Sequence, residues 1–164
     1  MTGASLSASA QRVQDALDAA GVAARIVEYD VPARTSAEAA AVLGCTVGQI
    51  AKSLVFKTAS GAPVLVIASG ALRVDEARIG ALAGESIGKA DAAFVRSVTG
   101  YAIGGIPPLA HAQPLRTFID RNLLQYGTVY AAGGTPHAMF PIAPADLVRV
   151  AGGEVADTAA VAAG

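Results

Sequence analysis

The 164-residue sequence contains few of the residue types on which several classes of protein depend. One cysteine and two histidines exclude an internal disulfide and a zinc site built from cysteines. Tryptophan is absent, and charged residues make up only 15% of the chain. Apolar residues make up 53%, but no apolar run reaches the ~18 residues that a membrane-spanning helix needs. The composition therefore favours one globular domain with a close-packed core.

Two further absences concern the location of the protein and its cofactors. The first 21 residues lack a basic region followed by an apolar stretch, which is the pattern of a secretory signal. We therefore expect a cytoplasmic protein without membrane contact. The two histidines and the scattered carboxylates do not have the spacing of metal ligands, and neither a Walker nor a Rossmann glycine motif is present. We expect no metal and no other cofactor.

The distribution of charge leaves two interpretations open. The net charge is −1, but residues 50–121 carry eight basic side chains against five acidic ones, and the flanking stretches are net acidic. A local positive excess suits contact with one end of an RNA. An ordinary solvated surface can have the same composition.

Hydrophobic periodicity predicts that helices and strands are interleaved along the chain. Ser36 with Glu38 is typical of a capped helix start, and Gly44 is typical of a helix end. Many connections are as short as hairpin turns, so we expect an α+β fold with a mixed or largely antiparallel sheet. Residues 1–151 are predicted to form this single domain and residues 152–164 a flexible tail. The predicted helices are 5–20, 36–43, 74–82, 91–98 and 144–150, and the predicted strands are 24–29, 50–57, 63–69, 117–120, 128–132 and 138–142.

Lys52 is the first residue that conflicts with its surroundings. It lies in an otherwise mostly apolar strand, where alternation places it on the same face as Leu54 and Phe56. Two interpretations are open: an exposed lysine at a strand edge, or an ammonium group that enters a pocket. No nucleophilic serine or cysteine motif is present. An enzyme with this sequence would therefore act by positioning its substrate and stabilising charge.

Two glycine pairs, Gly104-Gly105 and Gly133-Gly134, are the second unusual feature. Each pair is followed by proline and then by a histidine, His111 or His137. Paired glycines allow a ligand to approach the backbone closely and direct N–H groups at an oxygen, while histidine can exchange a proton near neutral pH. The same residues are also compatible with two tight turns that carry surface histidines.

Three separated segments together resemble the YbaK/ProX family, the prolyl-tRNA-synthetase-associated editing domains. They are the segments at 50–56, 97–108 and 129–134, and the resemblance extends from about residue 24 to about residue 150. It implies an α+β fold with a curved, mostly antiparallel sheet flanked by helices. It also implies a hydrolase that acts in trans on the ester of mischarged aminoacyl-tRNA, often on tRNA for proline, and so protects translation fidelity. The acceptor end of the tRNA is then the partner, together with a candidate synthetase.

The resemblance also implies which residues form the site. The essential lysine of the family falls on Lys52. We expect backbone N–H groups of Gly133 and Gly134, named with Lys52 as catalytic, or those of Gly104 and Gly105, to hold the carbonyl oxygen as it becomes negative. His137 is our candidate for contacting the substrate or orienting water, and His111 is a weaker one. The full set of expected substrate-binding residues is Tyr29, Ser53, Gly104, Gly105, Pro107, Ala132, Thr135 and His137.

Departures from the family pattern affect the expected substrate. Ala132 stands where many bacterial members have serine, and Thr135-Pro136-His137 follows the second glycine pair where they have basic residues. Ser53 stands where the alanine-specific branch has asparagine. We expect a small amino acid such as serine, threonine, alanine or cysteine. Two alternatives remain open: a non-catalytic module that binds tRNA or a synthetase, and a hydrolase of free aminoacyl esters.

Overall fold

Eight strands form one mixed sheet in the computed structural model, which describes residues 5–160. Two 3-10 helices occupy Val47–Gln49 and Arg121–Gln125. The α-helices are α1 (Ala8–Ala19), α2 (Ser36–Leu43), α3 (Glu76–Ala83), α4 (Ala92–Thr99) and α5 (Pro144–Ala151). The strands are β1 (Val27–Glu28), β2 (Ile50–Thr58), β3 (Pro63–Ser69), β4 (Ile87–Lys89), β5 (Arg116–Asp120), β6 (Val129–Ala132), β7 (Ala138–Ile142) and β8 (Glu154–Ala156).

The sheet combines antiparallel hairpins with parallel crossovers. Its strand order is β1-β7-β6-β2-β3-β5-β8, and β4 pairs separately with β2. The pairs β1–β7, β2–β3, β2–β4 and β6–β7 are antiparallel. The pairs β2–β6, β3–β5 and β5–β8 are parallel. The expected α+β class is confirmed, and the sheet contains more parallel pairing than a meander of hairpins would.

Helices cover both faces of the sheet because the central strands are apolar on both sides. On one face, buried residues of α1, α4 and α5, such as Leu17, Val95 and Leu147, pack on Leu65 and Ile67 of β3. A smaller cluster on the opposite face joins α3 to β2, β3, β5 and β8. A third cluster holds α2 against the start of β2 and against β7. The site described below lies where this third cluster meets the sheet.

The start of α2 is defined by a capping box. The Thr35 hydroxyl accepts a hydrogen bond from the Glu38 amide at 3.1 Å, and the Glu38 carboxylate accepts one from the Thr35 amide at 3.1 Å. The N-cap is thus Thr35, one residue before the Ser36 predicted from sequence. Gly44 ends the helix as predicted, in a left-handed conformation with φ of 70° that glycine adopts without steric strain.

The predicted tail and one predicted strand differ from the structure. Residues 154–156 form β8, which pairs in parallel with β5, and Thr158 and Ala159 are buried. The prediction of a flexible tail is therefore wrong as far as residue 160, because β8 pairs with β5, Ala156 packs in the α3 cluster, and Ala159 forms a β-bridge with Val74. Residues 161–164 lie outside the described part. The strand predicted at 24–29 is reduced to β1, which pairs only with β7. No helix within residues 5–160 is long and apolar enough to span a membrane.

Candidate active site

A gap in the sheet beside β2 forms the centre of the candidate site. β3 pairs with β2 from Ala51 to Lys57 on one side. On the other side, β6 pairs only with Ile50 and Ala51, and β4 pairs only with residues 56–58. Among the described residues, the edge of β2 between these two partners pairs with no strand. The alternation of hydrogen-bonded pairs directs the backbone N–H and C=O groups of Ser53 and Val55 into this gap.

A cleft of about 460 Å³ opens at this gap. Its volume lies in the range of small-molecule sites, and its lining is mainly apolar. Four structural elements contribute to its walls: the first residues of β2, the start of α2 with the segment before it, the loop at residues 103–106, and the facing ends of β6 and β7. From these elements the lining includes Arg34, Ser36, Ala37, Lys52, Ser53, Ile103, Gly104, Ala132 and Met139. Gly70, which follows β3, also lines the cleft.

Lys52 is the cation of the cleft. Its side chain is partly buried, and within residues 5–160 it has neither a salt bridge nor a side-chain hydrogen bond to another residue. Burial, and secondarily the positive charge of Arg73, lower the pKa of Lys52 below its ordinary value. A lysine without a carboxylate partner at such a position can interact with a negative or polarised group of a ligand. The structure thus places Lys52 in a pocket, the second of the two interpretations that its strand pattern left open.

The start of α2 brings backbone hydrogen-bond donors to the same cleft. The first N–H groups of a helix have no acceptor in the preceding turn. At α2 the capping box uses the amides of Thr35 and Glu38, whereas those of Ser36 and Ala37 have no acceptor among the described residues. Ser36 and Ala37 both line the cleft. Their N–H groups and the positive end of the helix dipole therefore favour an oxygen that carries negative charge.

Ser53 lies on the floor of the cleft, next to Lys52 in the sequence but on the opposite face of β2. Its hydroxyl oxygen is buried and has no hydrogen-bond partner among the described residues. An unpaired buried hydroxyl destabilises a fold by roughly 1–3 kcal/mol unless a ligand or water satisfies it. Ser53 therefore keeps an unused polar group directly beneath the cleft.

The first glycine pair has one residue in the cleft and one against the second glycine loop. Gly104 lines the cleft in a left-handed conformation with φ of +92°. Gly105 packs so closely on Thr135 that an added Cβ would lie 2.6 Å from the Thr135 Cα atom. The Gly105 amide donates a hydrogen bond to Ala102 at 3.0 Å and is not available to a substrate. The two glycine loops are thus neighbours, which the sequence could not show.

The second glycine pair lies beneath the cleft rather than in its wall. Gly133 donates its amide to Ala138 at 2.7 Å, and an added Cβ would meet Ile26 at 3.1 Å. Gly134 has φ of +109°, and its Cα faces the backbone of Ser9 at the start of α1. Neither glycine is among the residues that line the cleft. The geometry therefore offers the amides of Ser36, Ala37 and Gly104, rather than that of Gly133, as donors to a reacting oxygen.

Both histidines bind backbone carbonyls. The Nδ1–H of His137 donates to the Tyr29 carbonyl at 3.0 Å, and the Tyr29 amide donates back to the His137 carbonyl at 2.8 Å. The Nε2–H of His111 donates to the Pro107 carbonyl at 2.7 Å, and burial lowers the pKa of His111. His137 thereby fixes the segment that leads into α2, while His111 closes the turn at residues 107–111, which follows the first glycine pair.

The predicted substrate-binding residues therefore fall into two groups. Lys52, Ser53, Gly104 and Ala132 line the cleft together. The others do not line the cleft: Gly105, Thr135, His137 and Tyr29 contact one another in turn, and Pro107 accepts a hydrogen bond from His111.

Sequence reasoning missed the α2 side of the cleft and Gly70. An added Cβ at Gly70 would lie 2.6 Å from the Ser36 Cβ atom, so this glycine lets the start of α2 approach the end of β3. The capping pattern at residues 35–38 was a usable signal for donors at a helix start. Nothing local in the sequence indicated that this helix start would face Lys52.

A family model described as the aminoacyl-tRNA editing domain matches residues 30–150. The chain therefore belongs to the aminoacyl-tRNA editing domain family. The matched range contains every element that lines the cleft, from the segment before α2 to β7.

Similar proteins extend this result over nearly the whole chain. A solved structure described as a proposed trans-editing enzyme for prolyl-tRNA synthetase is 44% identical with a TM-score of 0.89, and the match covers 95% of this chain and 99% of that one. The hypothetical protein APE2540 is 34% identical with a TM-score of 0.85, over 91% and 99% of the two chains. The uncharacterized protein YwhH of Bacillus subtilis (strain 168) is 26% identical over 122 residues, 74% of this chain and 78% of that protein.

Proposed function

We propose that the protein is a free-standing, trans-acting deacylase that hydrolyses the ester of a mischarged aminoacyl-tRNA. The observation that carries the proposal is the position of Lys52, a partly buried ammonium in a cleft that also receives the start of α2. No carboxylate within residues 5–160 forms a salt bridge with it. Family membership and the similarity to a proposed trans-editing enzyme support the same reaction. We propose that the protein acts in the cytoplasm and that its partner is the acceptor end of the tRNA.

The proposed chemistry needs no protein nucleophile. Water attacks the ester carbonyl carbon, the carbonyl oxygen becomes negative, and the bond to the ribose oxygen then breaks. One proton of the water passes to the leaving ribose oxygen, the other is released to solvent, and the amino acid departs as a carboxylate. Donors that are already oriented stabilise such an oxyanion at little reorganisation cost. We take the amides of Ser36, Ala37 and Gly104 and the ammonium of Lys52 as these donors, with the Ser53 amide and hydroxyl as further groups that face the cleft. The neighbouring ribose hydroxyl can assist the attacking water.

The walls of the cleft are compatible with a small amino acid as the substrate. Loss of one methylene changes discrimination by only about 1–3 kcal/mol, which limits how well a synthetase rejects smaller amino acids and makes a second hydrolytic site useful. Ile103 and Met139 provide apolar walls, and Ser53 provides the buried hydroxyl beneath them. We therefore propose serine, threonine, alanine or cysteine, including those carried on tRNA for proline.

The decisive experiment compares Lys52→Ala with Lys57→Ala on a panel of mischarged tRNAs. Lys57 is a matched control because it is a lysine of the same strand, is exposed, and lies outside the cleft. The panel carries alanine, serine, threonine and cysteine on tRNA for proline, and serine and threonine on other tRNAs. We expect the wild type and Lys57→Ala to release at least one amino acid, and Lys52→Ala to lose about 100-fold or more in kcat/KM.

Other outcomes would favour the alternatives. Release by wild type and Lys52→Ala at equal rates would refute the proposed role of Lys52. Binding of tRNA without release of any amino acid would favour a non-catalytic module that binds tRNA or a synthetase. Equal hydrolysis of a free aminoacyl ester and of aminoacyl-tRNA would favour a hydrolase of small esters.

A further inference from the structure

A second groove adjoins the cleft on the other side of Lys52. It has a volume of about 780 Å³ and lies between β2, the end of β4 and the segment that follows β3. Lys52, Leu54 and Gly70 line both cavities. A ligand whose reacting end lies in the cleft can therefore extend past Lys52 into this groove without leaving the surface of the protein.

The groove has an excess of positive charge. Arg73 and Lys89 line it together with Lys52, whereas Glu76 is the one acidic residue among its lining residues. Within residues 5–160, none of these three cations forms a salt bridge with a carboxylate. Arg73 is close enough to Lys52 to lower the pKa of the Lys52 ammonium. Like charges gathered without counter-ions at one surface attract an anion, and several such charges in a row attract a polyanion.

The walls of the groove are suited to more than a free inorganic anion. Leu54, Leu72 and Val74 form an apolar surface between the cations, so the groove is polar and apolar in similar measure. A single-stranded nucleic acid combines charged phosphates with apolar base faces, and proteins bind such strands with a basic groove and an apolar platform. The aromatic residue here, Phe56, is buried, so contact with bases is through aliphatic side chains.

We propose that this groove binds the unpaired 3′ nucleotides of the acceptor strand, with their phosphates against Arg73 and Lys89. The inference rests on the proposed deacylase function, because it takes the terminal aminoacylated nucleotide to lie at Lys52. The strand then enters along the groove, passes Lys52, and places the ester in the cleft. The near-neutral net charge of the protein confines this attraction to one surface, which favours the correct orientation of the strand.

The test measures binding of a fluorescent RNA hairpin that ends in an unpaired CCA, and of the same hairpin without these nucleotides. The protein variants are Arg73→Glu/Lys89→Glu, the milder Arg73→Gln/Lys89→Gln, and the control Arg96→Glu. Arg96 is an exposed arginine of α4, a helix that packs on the opposite face of the sheet. Fluorescence anisotropy gives the Kd at several salt concentrations, and circular dichroism establishes that each variant is folded.

We expect the CCA hairpin to bind the wild type and Arg96→Glu equally, and both double variants about ten-fold or more weakly. The slope of log Kd against log salt should fall by about 1.4 in the glutamine variant, since each contact with a single-strand phosphate contributes about 0.7. The hairpin without CCA should bind the wild type as weakly as the CCA hairpin binds the variants. If the glutamate variant failed to fold, the glutamine variant would still decide the result.

Three results would overturn the proposal: equal binding of the two hairpins by the wild type, unchanged binding of the CCA hairpin by the double variants, or no binding of either hairpin. Its failure can be told apart from that of the deacylase function. Amino acid release by wild type with unchanged binding by the variants would refute the groove alone. Binding that depends on CCA and on the groove, without release of any amino acid, would refute the deacylase alone.

Discussion

The two glycine pairs have the same local sequence character but occupy different places in the structure. Gly104 is exposed at the rim of the cleft, and a Cβ there would make only ordinary contact, 3.7 Å from Pro136. Gly134 is buried, and a Cβ there would lie 2.7 Å from the Ser9 carbonyl oxygen. Gly104 of the first pair gives its backbone to the cleft, while Gly134 of the second allows α1 to pack against the turn between β6 and β7.

This difference shows that a glycine pair predicts a close approach to the backbone but does not predict which group approaches. At Gly104 the backbone borders open space, which a substrate can enter. At Gly134 the group that approaches is another part of the same chain. Substitutions at the two positions should therefore separate an effect on activity from an effect on stability, and the predictions below are ordered from the largest expected change to the smallest.

Gly134→Ala should destabilise the fold strongly. The new Cβ overlaps backbone atoms of Ser9, and φ of +109° is unfavourable for alanine. Overpacking and backbone strain together lead us to expect a loss of about 4 kcal/mol in the free energy of unfolding, or roughly 10 °C in Tm. Gly127→Ala is the control, because an added Cβ there has nothing within 4 Å. Thermal unfolding measures both, and equal Tm values for the two variants would contradict the buried role of Gly134.

Gly104→Ala should affect activity more than stability. It has space for a Cβ, so only the left-handed backbone opposes alanine, at about 1–2 kcal/mol. We expect kcat/KM for the mischarged tRNA to fall about ten-fold, because the strained backbone at the cleft wall shifts. Gly84→Ala has a comparable φ of +88° and open space but lies outside the cleft. Gly84→Ala should therefore lose about as much stability as Gly104→Ala but keep a normal kcat/KM. An equal loss of kcat/KM in both variants would contradict a role of Gly104 in the site.

His137→Ala tests whether the second loop only supports the cleft. Loss of the hydrogen bond to the Tyr29 carbonyl should reduce stability by about 1 kcal/mol. His137→Asn can place an amide N–H where Nδ1–H lies and should restore most of this loss. If Asn also restores kcat/KM, His137 acts by positioning the segment before α2. If stability recovers while kcat/KM stays low, the imidazole contacts the substrate, as the sequence predicts.

The smallest expected change is a shift in the pH dependence of kcat. Burial and Arg73 lower the pKa of Lys52, so a protonated Lys52 is fully present below that pKa and is lost as the pH rises through it. Arg73→Gln removes the positive charge and should move the alkaline fall of kcat to higher pH. The measurement uses saturating aminoacyl-tRNA, so that a change in RNA affinity does not contribute, with Arg96→Gln as control. A shift to lower pH would contradict this role of Lys52.

Sequence reasoning was most successful where the signal was local. All five helices were predicted within a few residues, because apolar periodicity and acidic first turns are signals between residues one or two helical turns apart. Gly44 likewise marks the end of α2 locally. β4 was missed because Ile87–Lys89 is only three residues long and has a central glycine. β8 was missed because its alanine and valine residues pair with β5, which is distant in the sequence.

The candidate site was predictable in part for the same reason. Lys52 interrupts the apolar pattern of its own strand, so the sequence alone indicated it as a candidate site residue. The sequence could not show that Ser36 and Ala37 would lie opposite it, because Gly70, far along the chain, is what lets α2 approach the sheet. Nor could it show that His137 would bind a backbone carbonyl 108 residues away.

The sequence by itself determined the mixed α+β class, the order of most elements, the lysine in an apolar strand and the two glycine pairs, because these depend on interactions between residues close together in the chain. Only the tertiary structure decided that, within residues 5–160, one edge of β2 would be left unpaired between β4 and β6 and that α2 would direct the amides of Ser36 and Ala37 at that gap. It also decided that Gly104 would line the cleft while Gly105 and the second glycine pair pack against other parts of the chain. These outcomes depend on which distant segments pack together, and packing is a property of the whole core.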